Sequence, residues 1–172
     1  FVTLSRTTCG EWNIKKAKYH PILALYEHGQ SLCWKRLKAK LSLYKGWLII
    51  HYGETEAISL RHLAEKQGAS KAELKELNAC LIDIHARLRR HWRLPLHNYG
   101  LKTVANWTGF QWTQKGVDGA RALLWWRQWR GKGEGARGNK NTLQLIMKYN
   151  QDDCLATWSV TQWLLKQDEL VQ

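Results

Sequence analysis

The run Tyr149-Asn150-Gln151-Asp152-Asp153-Cys154 sets a phenol and a carboxylate four residues apart, a spacing that brings both onto one face of a helix. A carboxylate so placed can ligate Mg²⁺ or Mn²⁺, hard cations that prefer oxygen donors. The tyrosine beside it can orient or polarise the water that attacks phosphorus. Two-metal phosphodiester hydrolysis needs several such oxygens converging on ions roughly 3.5–4 Å apart. The structural alternative is a helix entry capped by Asn150 or Asp152, with Tyr149 packed against the core.

A second cluster, His51-Tyr52-Gly53-Glu54-Thr55-Glu56, directly follows the apolar run Trp47-Leu48-Ile49-Ile50. Loops at strand ends of α/β sheets are where ligands gather. Glu56 is the expected metal ligand, since Glu54 is nearer the turn and can instead serve the helix N-terminus. His51 is either a general base or phosphate contact, or a hydrogen-bonded strand-end histidine. Asp83, after Leu81-Ile82, is a further carboxylate for the same cluster or, alternatively, a helix N-cap.

The third feature is cationic. Arg87, Arg89, Arg90 and Arg93 crowd one segment, and Lys102, Lys115, Arg121, Arg127, Arg130, Lys132, Arg137 and Lys140 follow. Only Asp118 and Glu134 oppose them between 87 and 140, so this stretch carries most of the chain's formal +13. A charge of that size bears on partners rather than on fold. It favours a polyanion, DNA or RNA, bound in a salt-sensitive way, over a merely basic surface. Basic groups can hold a backbone while exposed aromatics stack on unpaired bases. Most of the 11 Trp residues are nevertheless expected in the core, and none is assigned to stacking.

The elements that must position these groups follow an α/β order. Phe1-Val2-Thr3-Leu4 has β propensity, and a second extended piece is expected near Trp12. Helices are expected over 31–44, 54–67 and 71–78, the last opened by a Ser70/Glu73 capping box. The run through Trp47–Ile50 reads as a strand buried on both faces, and a second short strand falls around Cys80–Ile82. Leu101–Trp107, residues 118–130 and the chain from Asn141 onward read as helices. The stretch 131–139, with four glycines, reads as a flexible loop. One domain spanning residues 1–172 is expected. Four scattered cysteines, Cys9, Cys33, Cys80 and Cys154, fit neither a zinc knuckle nor a disulfide framework. The apolar runs are too short for a membrane span, so no membrane is expected as a partner, and a cytoplasmic setting is expected.

Taken in order, His51–Glu56, then Leu81-Ile82-Asp83, then Leu101-Lys102-Thr103-Val104-Ala105 with Gly109-Phe110-Gln111-Trp112, then Tyr149–Ala156 resemble the RNase H-like domain of RecB-family nucleases. That group is related to the DnaQ-like DEDDy exonucleases, whose motifs are a strand-borne DxE, a second acid and YxxxD. The resemblance covers roughly residues 32–167. It implies an α/β, RNase H-like three-layer fold with a mixed central sheet flanked by helices. It also implies a metal-dependent 3′–5′ exonuclease acting on DNA or RNA that is single-stranded or has free ends. Tyr149, Asp153 and Glu56 would be catalytic, with Glu56, Asp153 and Asp83 around one or two Mg²⁺ or Mn²⁺ ions. Arg87, Arg89, Arg90, Arg93, Lys102, Arg127, Arg130, Lys132, Arg137 and Lys140 would hold the backbone. Thr55 stands where an aromatic is usual, and no DxE precedes residue 50, where the only acids are Glu11 and Glu27. The chain opens on Phe1 without Met. It is therefore expected to be either the back portion of a longer or split nuclease, with the missing motif supplied by a larger protein or complex, or a degenerate binding or assembly module that keeps the fold.

Overall fold

The computed structural model describes residues 1–6, 12–44, 46–131 and 140–170. In chain order these form β1 (Val2–Arg6), β2 (Trp12–Tyr19), α1 (Gln30–Ser42), β3 (Ile49–His51), α2 (Glu54–Lys66), α3 (Lys71–Cys80), β4 (Leu81–Asp83), α4 (Ile84–His91), α5 (Leu101–Trp107), α6 (Gly119–Arg130) and α7 (Lys140–Leu170). The mixed α/β class is the one expected from the sequence. Among the described residues the strands form two two-stranded sheets, β1 with β2 and β3 with β4. The chain divides into two compact units. One comprises Phe1–Pro21 with Gly109–Ala156, the other Ile22–Thr108 with Thr157–Gln172.

In the first unit β1 and β2 run antiparallel, with Val2 opposite Tyr19, Arg6 opposite Trp12 and an irregularity between Thr3 and Ser5. The open end of the hairpin is tied by His20, whose N–H donates to the Phe1 carbonyl at 2.8 Å. The His20 ring stacks on Phe1 and its Nε2 lies 2.9 Å from Thr3 Oγ1. Helix α6 is opened by Asp118, whose Oδ1 accepts from the Arg121 N–H at 2.8 Å, satisfying one amide that the first turn leaves without an intrahelical partner.

The second unit is built around Trp34, Ala64 and Leu77, one from each of α1, α2 and α3, with Leu37, Leu60, Leu63 and Leu74 packed on them. The helices are placed by their ends. Gly68, at φ +77°, lets α2 stop in a Schellman turn in which Ala69 N–H reaches the Ala64 carbonyl and Gly68 N–H the Glu65 carbonyl. Ser70 and Glu73 form the expected capping box at α3: Ser70 N–H donates to Glu73 Oε2 at 2.8 Å and Glu73 N–H to Ser70 Oγ at 3.2 Å. Glu73 Oε1 also meets Lys38 Nζ of α1 at 2.6 Å. The parallel pair β3–β4 aligns Ile49 with Leu81, Ile50 with Ile82 and His51 with Asp83.

Two expectations from sequence change here. The strand expected through Trp47–Ile50 begins only at Ile49, and Trp47 and Leu48 are exposed. The cause is the turn before it: Trp47 N–H bonds the Tyr44 carbonyl at 3.0 Å and its ring packs on Tyr44, which holds Trp47 outside the ladder. The tryptophans are also less buried than expected. Trp34 and Trp158 are core residues, whereas Trp47 and Trp107 are exposed. The largest fully buried side chains among the described residues are smaller ones, Leu88, Val104 and Val160, because an indole is too large to be wholly enclosed in most packing sites. Cys33, Cys80 and Cys154 are not joined in disulfides; Cys9 lies outside the described residues, as does the glycine-rich stretch beyond Gly131 up to Asn139. Among the described residues no helix is long and apolar enough to cross a membrane.

The Glu73 link between α1 and α3 has a pH signature. Its hydrogen bond to Lys38, then those to Ser70, hold its carboxyl at about 2, below the ordinary 4.5. The stability it contributes is therefore complete above pH 4.5 and lost as pH falls towards 2. Glu73→Gln should lower the thermal midpoint at neutral pH, and the gap from the unaltered chain should close on acidification, as read by circular dichroism melts across that range.

Candidate active site and nucleic-acid interface

Helix α7 is continuous from Lys140, so the Tyr149–Asp153 run lies in mid-helix and not at a helix entry. Its polar side chains divide into two groups. Asn150 Oδ1 accepts from the Tyr19 hydroxyl at 3.0 Å, which fastens the end of β2 to α7. Asp152 is buried, and its Oδ2 accepts from both the N–H (2.9 Å) and the hydroxyl (2.8 Å) of Thr113. These two residues brace the first unit.

Tyr149 and Asp153 form the other group. The Tyr149 hydroxyl donates to the Asp153 carboxylate, as the four-residue spacing predicts. Burial, then the charges of Asp153 and Asp118, then that hydrogen bond push the Tyr149 phenol up to about 12. At neutral pH it is thus a neutral hydroxyl, a donor and orienting group rather than a base. The start of α6 adjoins it: a Cβ built on Gly119 would stand 3.9 Å from Tyr149 Oη. Asp118 is therefore a residue of this site that sequence reasoning counted only as an acid. Its signal was the Asp-Gly pair ahead of a helical run, an N-cap pattern. Tyr19 is likewise pushed up to about 12, by burial and then by Cys154.

In the second unit, the turn after β3 is made by Gly53 at φ 88°, ψ 179°, a conformation essentially confined to glycine. Its N–H donates to Asp83 Oδ1 at 2.9 Å. The same oxygen accepts from His85 N–H at 2.9 Å and Ala86 N–H at 3.2 Å. Asp83 is thus the N-cap of α4 and the clasp between the ends of β3 and β4. His51 is the buried strand-end histidine of the structural alternative. Its Nδ1 lies 2.7 Å from the Gly53 carbonyl, and since a carbonyl only accepts, Nδ1 carries the proton. Tyr52 donates its hydroxyl to the Tyr99 carbonyl at 2.7 Å; burial and then the Asp83 charge push that phenol strongly upward. Glu54 and Glu56 are exposed in the first turn of α2, where the helix dipole favours carboxylates. The N-cap there is Gly53, with no side-chain cap.

The structure thus brings Tyr149 and Asp153 together in one unit, with Asp118 beside them, and places Glu56 and Asp83 in the other. Among the described residues no group of three or more His, Cys, Asp or Glu side chains could hold a metal ion. One oxygen of Asp83 is already committed to three amides. The described residues therefore do not by themselves fit a Mg²⁺ or Mn²⁺ centre.

The cationic residues are placed by helix periodicity. In α4, Ile84 and Leu88 take the buried face, which leaves Arg87, Arg89 and Arg90 exposed. Arg93 is exposed too, and its Nη1 donates to the Arg89 carbonyl at 2.8 Å and the Trp92 carbonyl at 3.2 Å, closing the C-terminus of α4. Lys102 is half-buried on α5, and Arg127 and Arg130 are exposed on α6. Lys132 and Arg137 lie outside the described residues, and so does the side chain of Lys140.

A family model, RNase_H_2 of the RNase_H superfamily, matches residues 7–165. The chain belongs to the RNase H superfamily. No curated protein and no solved structure matches it.

Two substitutions separate bracing from chemistry. Asp152→Ala leaves the Thr113 N–H and hydroxyl without their charged acceptor, and denaturant unfolding should show a loss of about 2–3 kcal/mol. Gly53→Ala meets no atom within 4 Å, yet should cost about 1–3 kcal/mol through backbone strain alone. Both leave the Tyr149–Asp153 pair in place.

Proposed function

We propose that this chain is a nuclease-type domain that hydrolyses phosphodiester bonds in DNA or RNA from a 3′ end, in the manner of DnaQ-like DEDDy exonucleases and the RecB-family domains related to them. Superfamily membership supports the substrate class, and the family match extends over both compact units, in keeping with one RNase H-like domain. The observation that carries the finer reading is the hydrogen bond from Tyr149 to Asp153 on one face of α7. A neutral phenol that donates to a carboxylate keeps lone pairs with which to accept a hydrogen bond from an incoming water, while the carboxylate fixes the direction of the hydroxyl. Arg87, Arg89, Arg90 and Arg93 would receive the strand through its phosphates. The cofactor of this reading is Mg²⁺ or Mn²⁺, for which Asp153 would be one carboxylate. A larger nuclease or a complex would supply the strand-borne acids that the described residues do not assemble.

A second reading has its own observation. Asp83 spends one carboxylate oxygen on three amides, as a structural residue does, while the arginines of α4 stay exposed. That combination favours a catalytically inert domain that binds nucleic acid.

Incubation of end-labelled single-stranded DNA and RNA with this chain and Mn²⁺ or Mg²⁺, beside Asp153→Ala, separates the two. Shortening from the 3′ end that Asp153→Ala abolishes is the expected result. Salt-sensitive binding without shortening would overturn hydrolysis by this chain and leave the binding domain.

A further inference from the structure

Helix α6 reads Gly-Ala-Arg-Ala-Leu-Leu-Trp-Trp-Arg-Gln-Trp-Arg from Gly119 to Arg130, with three arginines and no acid. None of its residues is buried, and Leu123 and Leu124 are 49% and 45% exposed. A helix this rich in indole and leucine that stays half in water has a surface suited to a partner.

The rings on it are arranged in a particular way. Trp126 and Trp129, three residues apart, lie nearly parallel, with centroids 5.3 Å apart and planes at 14°. Indoles of the second unit meet edge to face instead: Trp92 and Trp107 approach Trp163 at 67° and 73°. Arg130 places its guanidinium 5.9 Å from the Trp126 ring centre, at the outer limit of a cation–π contact. Arg127 is exposed one residue along from Trp126.

We infer that the C-terminal half of α6 is a stacking platform for unpaired bases, in which Trp126 and Trp129 receive the base planes and Arg127 and Arg130 the phosphates. The inference rests on nucleic acid being the substrate, and adds that the strand is read single-stranded. Parallel indoles offer a flat π surface that any base can extend, whereas a base locked in a duplex has no face to give. The loosely held Arg130 can yield its place on Trp126 to a base and turn to the adjacent phosphate. The absence of acids from α6 supplies the charge complementarity. An anionic lipid surface also accepts a helix bearing Arg, Trp and Leu, but it makes no use of a parallel ring stack.

The test is fluorescence anisotropy with a labelled oligonucleotide, its duplex, and anionic phosphatidylserine vesicles as competitor. Trp126→Ala should weaken single-strand binding by about tenfold and leave duplex binding and the salt slope unchanged. Trp126→Phe should retain most of the affinity. Arg127→Gln with Arg130→Gln should instead flatten the salt slope by up to about two counterions. In the unaltered chain the single strand should quench tryptophan fluorescence more than the duplex does, a readout independent of any variant's folding. Unchanged single-strand affinity in Trp126→Ala, equal losses for strand and duplex, or displacement of the strand by vesicles would each overturn the platform while nucleic-acid binding stands. A chain that binds neither strand nor duplex overturns the substrate class itself. A chain that binds single strands through Trp126 without cutting them upholds the platform and overturns only the hydrolytic reading.

Discussion

A carboxylate oxygen that already accepts two or three hydrogen bonds has little left for a metal ion or a substrate, and this limit sorts the acids of the protein. Asp83 clasps the ends of β3 and β4 through three amides on one oxygen. Asp152 holds Thr113 through two donors on one oxygen. Asp118 caps α6, and Glu73 caps α3 while pairing with Lys38. With three-residue strands in the β3–β4 pair, backbone ladders alone cannot fix where the strand ends and helix starts lie, so side-chain carboxylates take over that task. Of the acids considered for the site, this leaves for chemistry Asp153 under the Tyr149 hydroxyl, and Glu54 and Glu56 at the start of α2.

The same limit explains what could be read from the sequence. Helix ends were legible wherever the signal is local: the Ser70/Glu73 box, the stop at Gly68, the span Leu101–Trp107. The strands were less so, because three residues carry no periodicity, and the apolar run at Trp47 looked like a strand although a turn to Tyr44 had already claimed its first residue. In the site, the Tyr149–Asp153 pair was legible since both members lie one turn apart. The division of labour between the adjacent Asp152 and Asp153 was not. It depends on Thr113, which is 39 residues away along the chain, and nothing in the local pattern marks Thr113 as a partner. Asp118 was overlooked for the same reason: its N-cap role is local, but its field on Tyr149 is a product of folding.

Drawing acids into caps also shapes the outer surface. A carboxylate that caps a helix is held at the start of the element, whereas the arginines of α4 and α6 point outward because Ile84 and Leu88 occupy the inner face of one helix and nothing on the other is buried. A formal +13 distributed in this way produces a broad attraction for phosphate, and such attraction carries no information about whether a strand is paired. Discrimination must then come from groups whose contact energy depends on an open base face. The parallel, half-buried indoles of α6 have that geometry, so charge would govern how tightly a polyanion is held, and stacking which strand is accepted.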